Sequence, residues 1–192
     1  MNSFSCAVVL SFAAVGPSLA AAPGASGIYL TVADYSEGHL TDEGDCGSGG
    51  HKLELHDVLN KSYIHVTHDS AKRRYEKKKL FGFRACDGKD YRFVSNQEYR
   101  ILEARALYLY AHETHVTVGK SRHVVVEHSF SAGRDGNVVP LTLENLKRAF
   151  PGNRTFHDGL DQMFGAGRDL MQYDDFHKMF KVNQLLIFTQ VP

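Results

Sequence analysis

The chain has 192 residues, of which 43% are hydrophobic and 23% charged, so it is long enough and apolar enough to bury a real core. Its 22 lysines and arginines balance 22 aspartates and glutamates, and this balance gives no reason to expect nucleic acid or an acidic macromolecule as a partner. The 11 histidines are numerous and would add positive charge below about pH 6.5.

The first 20 residues have the features of an export signal. Residues 8–15 are apolar, and Ser18 and Ala20 place small side chains before a cut at Ala21, although no Lys or Arg precedes the apolar run. We therefore predict a signal peptide over 1–20 and a single mature domain over 21–192, located in the periplasm, at the cell surface or secreted. The alternative is a disordered or membrane-anchored N-terminus. No other stretch reaches about 18 apolar residues, so we expect no transmembrane segment in the mature chain.

The cysteines fit this compartment. Cys6 would leave with the signal, and Cys46 and Cys86 would remain as a pair in an oxidising environment. We predict that they form one disulfide, which would stabilise the fold by about 4 kcal/mol in the chain-entropy model. The alternative is two free, buried cysteines.

Short strands dominate the first part of the mature chain, because apolar and polar residues alternate there. The predicted strands cover residues 27–32, 52–56, 63–67, 80–86, 90–94, 99–103, 107–118 and 123–130. Residues 33–50 are acidic and rich in glycine, and they predict a loop long enough to carry function.

The central hairpin, residues 80–94, poses a question of register. An Asp87-Gly88 pair usually favours a two-residue loop, which would put its aromatic residues on opposite faces. A loop of three or five residues instead pairs Phe83 with Phe93, and it puts Phe81, Phe83, Tyr91 and Phe93 on one buried face. We therefore predict the odd loop.

A basic run precedes that hairpin. Six of the eight residues from 72 to 79 are cationic, which suggests a surface for anionic polymers or lipid head groups. The candidate residues are Lys72, Arg73, Arg74, Lys77, Lys78 and Lys79. A solvated edge strand guarded by lysines would produce the same composition.

The histidines offer one candidate metal pair. His112 lies opposite His128 if the two positions pair across a loop centred at residue 120, and a register shifted by two pairs His115 with His123 instead. Exposed strand histidines that bind no metal are the alternative. No nucleotide-binding fingerprint or nucleophile elbow is found, so we expect no cofactor.

Helical patterns begin after Pro140. Thr142 is a good N-cap for residues 143–150, Thr155 opens a capping box for a second helix, and residues 184–190 fit a last strand or a helix. The predicted fold class is α+β: an antiparallel β-rich part of about seven or eight strands over 27–138, and a part with short helices over 139–192 that packs on the sheet.

Three stretches carry a resemblance: FGFRACDGKDYRFV, LTLENLKRAFPGNRTFHDGLD and YDDFHKMFKVN. They resemble uncharacterised exported proteins of Bacteroidota-type bacteria, and the resemblance covers most of residues 27–184. It implies a periplasmic or cell-surface location and no known activity.

The sequence leaves the function open, including whether the protein is an enzyme. The leading hypothesis is a non-enzymatic exported domain that binds an unknown protein or small ligand, or that has a structural role in the bacterial envelope. One alternative is a hydrolase that uses histidines and carboxylates, suggested by three His-Asp dipeptides and by Asp174, Asp175 and His177. The other is a binder of polyanions or membrane surfaces through residues 72–79.

Overall fold

The computed structural model describes residues 24–55 and 61–190 of the protein. The predicted export signal lies outside these residues. None of the helices within these ranges is long and apolar enough to cross a bilayer.

The largest element is an antiparallel sheet of eight strands in the order β11-β10-β9-β8-β7-β6-β1-β2. Its strands are β1 Ala25–Tyr29, β2 Thr41–Asp45, β6 Gly82–Arg84, β7 Asp90–Val94, β8 Gln97–Ala104, β9 Leu107–Val118, β10 Ser121–Ala132 and β11 Val139–Pro140. A continuous row of register pairs joins Ile28, Phe83, Tyr91, Arg100 and Ala111, which therefore share one face of the sheet.

A smaller sheet covers one end of that face. It consists of β3 His51–Glu54, β4 Tyr63–His68 and β5 Ala71–Glu76, in that order. Ile64 and Val66 of β4 pack with Ile28, Phe83 and Phe93 of the large sheet in one hydrophobic core. The predicted acidic loop before this sheet contains β2 and the helix α1 Val32–Glu37, so it is more ordered than its composition suggested.

The C-terminal helices cover the other end of the same face. They are α2 Leu143–Ala149, α3 Arg154–Phe164 and α4 Lys181–Gln190, with the short pair β12 Tyr173–Asp174 and β13 Met179–Phe180 before α4. Their buried side chains enclose Leu107, Leu109 and Phe130 of β9 and β10. The predicted α+β class, with short helices packed on an antiparallel sheet, is confirmed.

The two predicted helix caps had different outcomes. Thr142 caps α2, because its side chain accepts a hydrogen bond from the Asn145 backbone at 3.1 Å, as predicted. The next helix starts earlier than predicted, because Asn153 rather than Thr155 is its N-cap and accepts from the Phe156 backbone at 2.9 Å. The stretch 184–190, for which strand and helix were both open, belongs to α4.

The central hairpin has the odd loop but a shifted register. Phe83 pairs with Tyr91 rather than with Phe93, and their rings stack at 4.8 Å. Gly88, with a φ of 78°, turns the loop, and the Ala85 amide donates to the Lys89 carbonyl at 2.9 Å.

Phe81 does not share the predicted face. Its ring lies 5.0 Å from Tyr35 of α1, on the face opposite Phe83. Strict alternation is lost at Gly82, where the backbone approaches β7 so closely that a Cβ would lie 1.8 Å from the Tyr91 carbonyl oxygen. Leu80 therefore joins the buried core of Phe83 although the two residues are three apart.

The disulfide between Cys46 and Cys86 is present, with a Cα–Cα distance of 5.8 Å. It ties the segment after β2 to the turn between β6 and β7. The predicted covalent link between the acidic segment and the central hairpin is confirmed.

Strands β9 and β10 form a hairpin that extends beyond the sheet. The pairs of β9 with β8 end at Ala111, and those of β10 with β11 lie at Ser129 and Phe130. Residues 112–118 and 121–127 consequently pair only with each other among the described residues, and we call this projecting part the arm.

Candidate ligand-binding cleft

A cleft of about 680 Å³ lies on the shared face of the large sheet, beside the small sheet and the base of the arm. Its lining residues combine aromatic, aliphatic and charged side chains: Leu55, Lys77, Phe83, Ala85, Tyr91, Asn96, Gln97, Glu98, Arg100, Ala111, His112, Glu113, Thr114, His115 and Arg122. This volume is typical of a site for a small organic molecule.

The floor of the cleft is apolar. Phe83 and Tyr91 stack face to face with an interplanar angle of 4°, and Ala111 continues the same row two strands away. Burial raises the pKa of the Tyr91 hydroxyl, so this ring is neutral at physiological pH. Phe83 is buried in the core and Tyr91 is partly exposed, so the Tyr91 ring is the part of this stack that an apolar or aromatic group of a ligand can reach.

Arg100 is the charged residue of this row. It pairs with Tyr91 on one side and with Ala111 on the other, so its partly buried side chain starts from the cleft floor. Among the described residues, its guanidinium makes neither a hydrogen bond nor an ion pair. A guanidinium without such a partner, beside an aromatic ring in a concave site, is suited to bind a carboxylate or another planar anion.

The two arginines on neighbouring strands differ from Arg100. Arg84 donates to both carboxylate oxygens of Asp90, at 2.7 and 2.8 Å. Arg92 donates to the Tyr110 hydroxyl at 3.0 Å. Both therefore have protein partners, while Arg100 is available to a ligand.

One rim of the cleft contains a buried ion pair. Lys77 is 1% exposed, and its ammonium group donates to the Asn96 carbonyl at 3.0 Å and to the Glu98 carboxylate. It also lies 5.4 Å from the centre of the Phe93 ring. This pair fixes the turn before β8 and leaves little of Lys77 for a ligand.

The arm forms the outer wall. Glu113 and His115 belong to β9, and Arg122 belongs to β10, and all three are exposed. The wall thus presents both signs of charge, which would suit a ligand with polar groups at the end that faces solvent.

The basic run 72–79 is mostly neutralised. It forms the edge strand β5 and a short 3-10 turn, Lys77–Lys79. Lys72 donates to Glu54 at 2.7 Å, and Arg73 is bonded to Asp42.

The rest of the run is paired or buried as well. Lys78 and Lys79 lie within 3.7 and 3.4 Å of Glu76, and the Arg74 guanidinium stacks on the Tyr63 ring at 3.9 Å. Lys77 is buried and does not belong to the predicted surface.

The structure does not bring the candidate metal pair together. The register of β9 and β10 pairs His112 with Glu127 and His128 with Ala111, so the two histidines point to opposite faces. The reason is the two-residue turn Gly119-Lys120. It places the centre of the loop between residues 119 and 120 instead of at residue 120, so every pair differs by one residue from the predicted register. Within residues 24–55 and 61–190, no group of three or more His, Cys, Asp or Glu side chains could hold a metal ion.

A different histidine pair was missed. His51, which is 7% exposed, pairs with His68 across β3 and β4, and their rings are 5.9 Å apart. Burial and the neighbouring His68 lower the pKa of His51. Only the register between β3 and β4 reveals this pair, because the two residues are far apart in the sequence.

Two other histidines of the hydrolase hypothesis have structural partners, and the dipeptide His56-Asp57 lies outside the described residues. The His157 ring bonds to the carbonyls of Lys147 and Phe150, at 3.1 and 2.9 Å. Asp174 bonds to the His177 ring at 2.7 Å and to its backbone at 3.1 Å, and these bonds close the turn between β12 and β13.

Comparison with known proteins gives no further information. No protein-family model, no curated protein and no solved structure matches this chain.

Proposed function

We propose that this protein is an exported, non-enzymatic binding domain, and that the cleft on the shared face is its ligand site. The observation that carries the proposal is the partly buried side chain of Arg100, whose guanidinium has no partner among the described residues and which starts beside Tyr91 in the cleft. A ligand carboxylate that pairs with this guanidinium would form charge-assisted hydrogen bonds that the described residues do not supply.

The ligand class follows from the two neighbouring chemistries. Arg100 favours a ligand with a carboxylate. The Phe83–Tyr91 stack favours a flat apolar group in the same ligand, joined to that carboxylate through a linker of one or two bonds. Two histidines line the cleft: the His112 ring bonds to the Glu98 backbone carbonyl at 3.0 Å, and His115 makes no hydrogen bond or ion pair among the described residues. Within those residues neither histidine bonds to a Ser, Thr or Cys side chain, so the pairing of base and nucleophile that hydrolysis by a side chain needs is missing. Binding, rather than hydrolysis, is therefore the activity proposed.

The disulfide supports the exported location, because such bonds persist in oxidising compartments. The hypothesis of polyanion binding has less support, because four of the five exposed cations of the run 72–79 lie within 4 Å of a carboxylate, that of Asp42, Glu54 or Glu76.

The experiment uses 3-phenylpropionate as the probe, and it follows both the heat of binding and the methyl NMR signals of Ala85 and Ala111. We expect saturable binding that shifts both methyl signals. Arg100→Met should weaken this binding about 10- to 100-fold, the usual range for a hydrogen bond to a charged group.

Two controls make the result specific. Arg154→Met removes an exposed arginine on α3, away from the cleft, and should leave the affinity unchanged. The neutral amide, 3-phenylpropanamide, should bind as weakly to the wild type as the acid binds to Arg100→Met. Absence of saturable binding, or equal effects of the two arginine variants, would overturn the proposal.

A further inference from the structure

Within the described part of the chain, the outer edge of the arm is a strand edge of seven residues that pairs with no other strand. Strand β11 pairs with β10 only at Ser129 and Phe130, and the Leu141 amide makes the last bond on that side, to the His128 carbonyl at 2.9 Å. Residues 121–127 have β9 as their neighbour on the inner side and no strand on the outer side among the described residues.

The hydrogen bond from the Leu141 amide to the His128 carbonyl also shows which backbone groups of β10 point away from β9. Because the His128 carbonyl points outward, and because backbone direction alternates along a strand, Arg122, Val124 and Val126 also present their N–H and C=O groups outward. The residues between them point toward β9. Three outward residues at even spacing are available to pair with another strand.

The centre of this edge lacks the usual protection against pairing. Val124, Val125 and Val126 are adjacent and 55%, 40% and 46% exposed, and the charged residues Arg122 and Glu127 lie on either side of them. The edge strand β5 differs, because Lys72, Arg73 and Arg74 place three cations in consecutive positions. A two-stranded ribbon alone is marginally stable in water, so the arm would gain from a third strand.

We propose that the arm pairs with the arm of a second copy of this chain, antiparallel and edge to edge, with the two-fold axis at Val124. Val124 is the midpoint of the free segment 121–127, so an identical segment fits between the Gly119-Lys120 turn at one end and Leu141 at the other. In this register Arg122 faces Val126 of the second copy, and Val124 faces Val124 of the second copy. The outward groups then form about six backbone hydrogen bonds between the chains.

The side chains across this interface are complementary. Glu127 lies opposite Ser121 of the second copy and diagonal to its His123, so the carboxylate meets a hydroxyl and an imidazole. The aliphatic stem of Arg122 covers Val126 of the second copy, and no like charges face each other. This self-complementarity favours a second copy over an unrelated peptide.

The first test measures the mass of the protein in solution by analytical ultracentrifugation over a wide range of concentrations. We expect a monomer–dimer equilibrium. Val124→Pro removes an outward N–H that β9 does not use, so it should abolish the dimer and leave the circular dichroism spectrum unchanged. A monomer at every concentration, or a dimer that survives Val124→Pro with a native spectrum, would overturn the proposal.

The second test fixes the register by oxidation of single-cysteine variants in a Cys6→Ser background. Hydrogen-bonded partners in an antiparallel pair have Cα atoms about 5.5 Å apart, within the range of a disulfide, so Val124→Cys should cross-link to itself. Val125→Cys would face His123 of the second copy, and the exposed Val116→Cys lies on β9, so both should cross-link far less. Equal or faster cross-linking of Val125→Cys would refute the two-fold axis at Val124.

Discussion

Replacement of Lys77 by methionine tests the idea that a buried ion pair fixes one rim of the cleft. The Lys77 side chain is 1% exposed and that of Glu98 is 17% exposed, so the change leaves a mostly buried carboxylate without this cation. Loss of one partner of a buried pair costs roughly 3–5 kcal/mol. Because water still reaches part of Glu98, we expect the lower end, about 3 kcal/mol.

Urea unfolding with the disulfide intact provides the measurement. For a slope of about 2 kcal/mol per M, the midpoint should fall by about 1.5 M. The matched control is Lys78→Met, the adjacent residue, which is 76% exposed and should change the free energy of unfolding by less than about 0.5 kcal/mol. The double change Lys77→Met with Glu98→Gln should recover part of the loss, because it also removes the carboxylate charge that Lys77 neutralises. Equal midpoints for Lys77→Met and Lys78→Met would show that this pair does not stabilise the rim.

Two further predictions concern single sites. A hydrogen bond from Lys72 lowers the pKa of Glu54 to about 2, so the stabilisation that this carboxylate gives is complete above its unfolded pKa, near 4, and is lost as the pH falls toward 2. NMR titration should show this low pKa, and Lys72→Met should raise it; a midpoint near 4 in the unchanged protein would contradict the contact. Gly82→Ala should lower the free energy of unfolding by about 2 kcal/mol or more, because the new methyl group meets the Tyr91 carbonyl, and Gly152→Ala, which has open space at its Cβ, is the control. Similar thermal midpoints for the two alanine variants would refute the close approach at Gly82.

The sequence predicted most strands before Pro140, helices after it, and the disulfide, while it missed α1 and β2 in the segment predicted as a loop. Alternation gave the strands, Thr142 gave a helix start, and two cysteines in a chain with an export-like beginning gave the disulfide. The signals for strands and helix starts lie within a few residues of the element that they specify, whereas the disulfide followed from the number of cysteines and the expected compartment.

The faces of the strands were harder to predict, because they depend on pairing between distant segments. The break at Gly82 arises where β6 approaches β7, and this approach places Phe81 on the face opposite Phe83. The two-residue turn Gly119-Lys120 shifts the register of the arm by one residue relative to the predicted pair, and this shift separates His112 from His128.

The candidate site could not be predicted for a related reason. Nothing in the local sequence of Arg100 distinguishes it from Arg84 or Arg92, and the difference lies in which partners the fold supplies. Lys77 likewise belongs to a run of basic residues, and only the 3-10 turn after β5 directs it inward.

The two hydrophobic cores lie on one face of a single sheet and are separated along it by the cleft. The strand pair β7–β8 joins the half that holds the small sheet to the half that holds the helices. Local unfolding of one half therefore affects the other mainly through these strands. The disulfide restrains only the half that holds the small sheet. A molecule bound to Arg100 would contact the joining strands themselves, so its occupancy would set how cooperatively the two halves unfold.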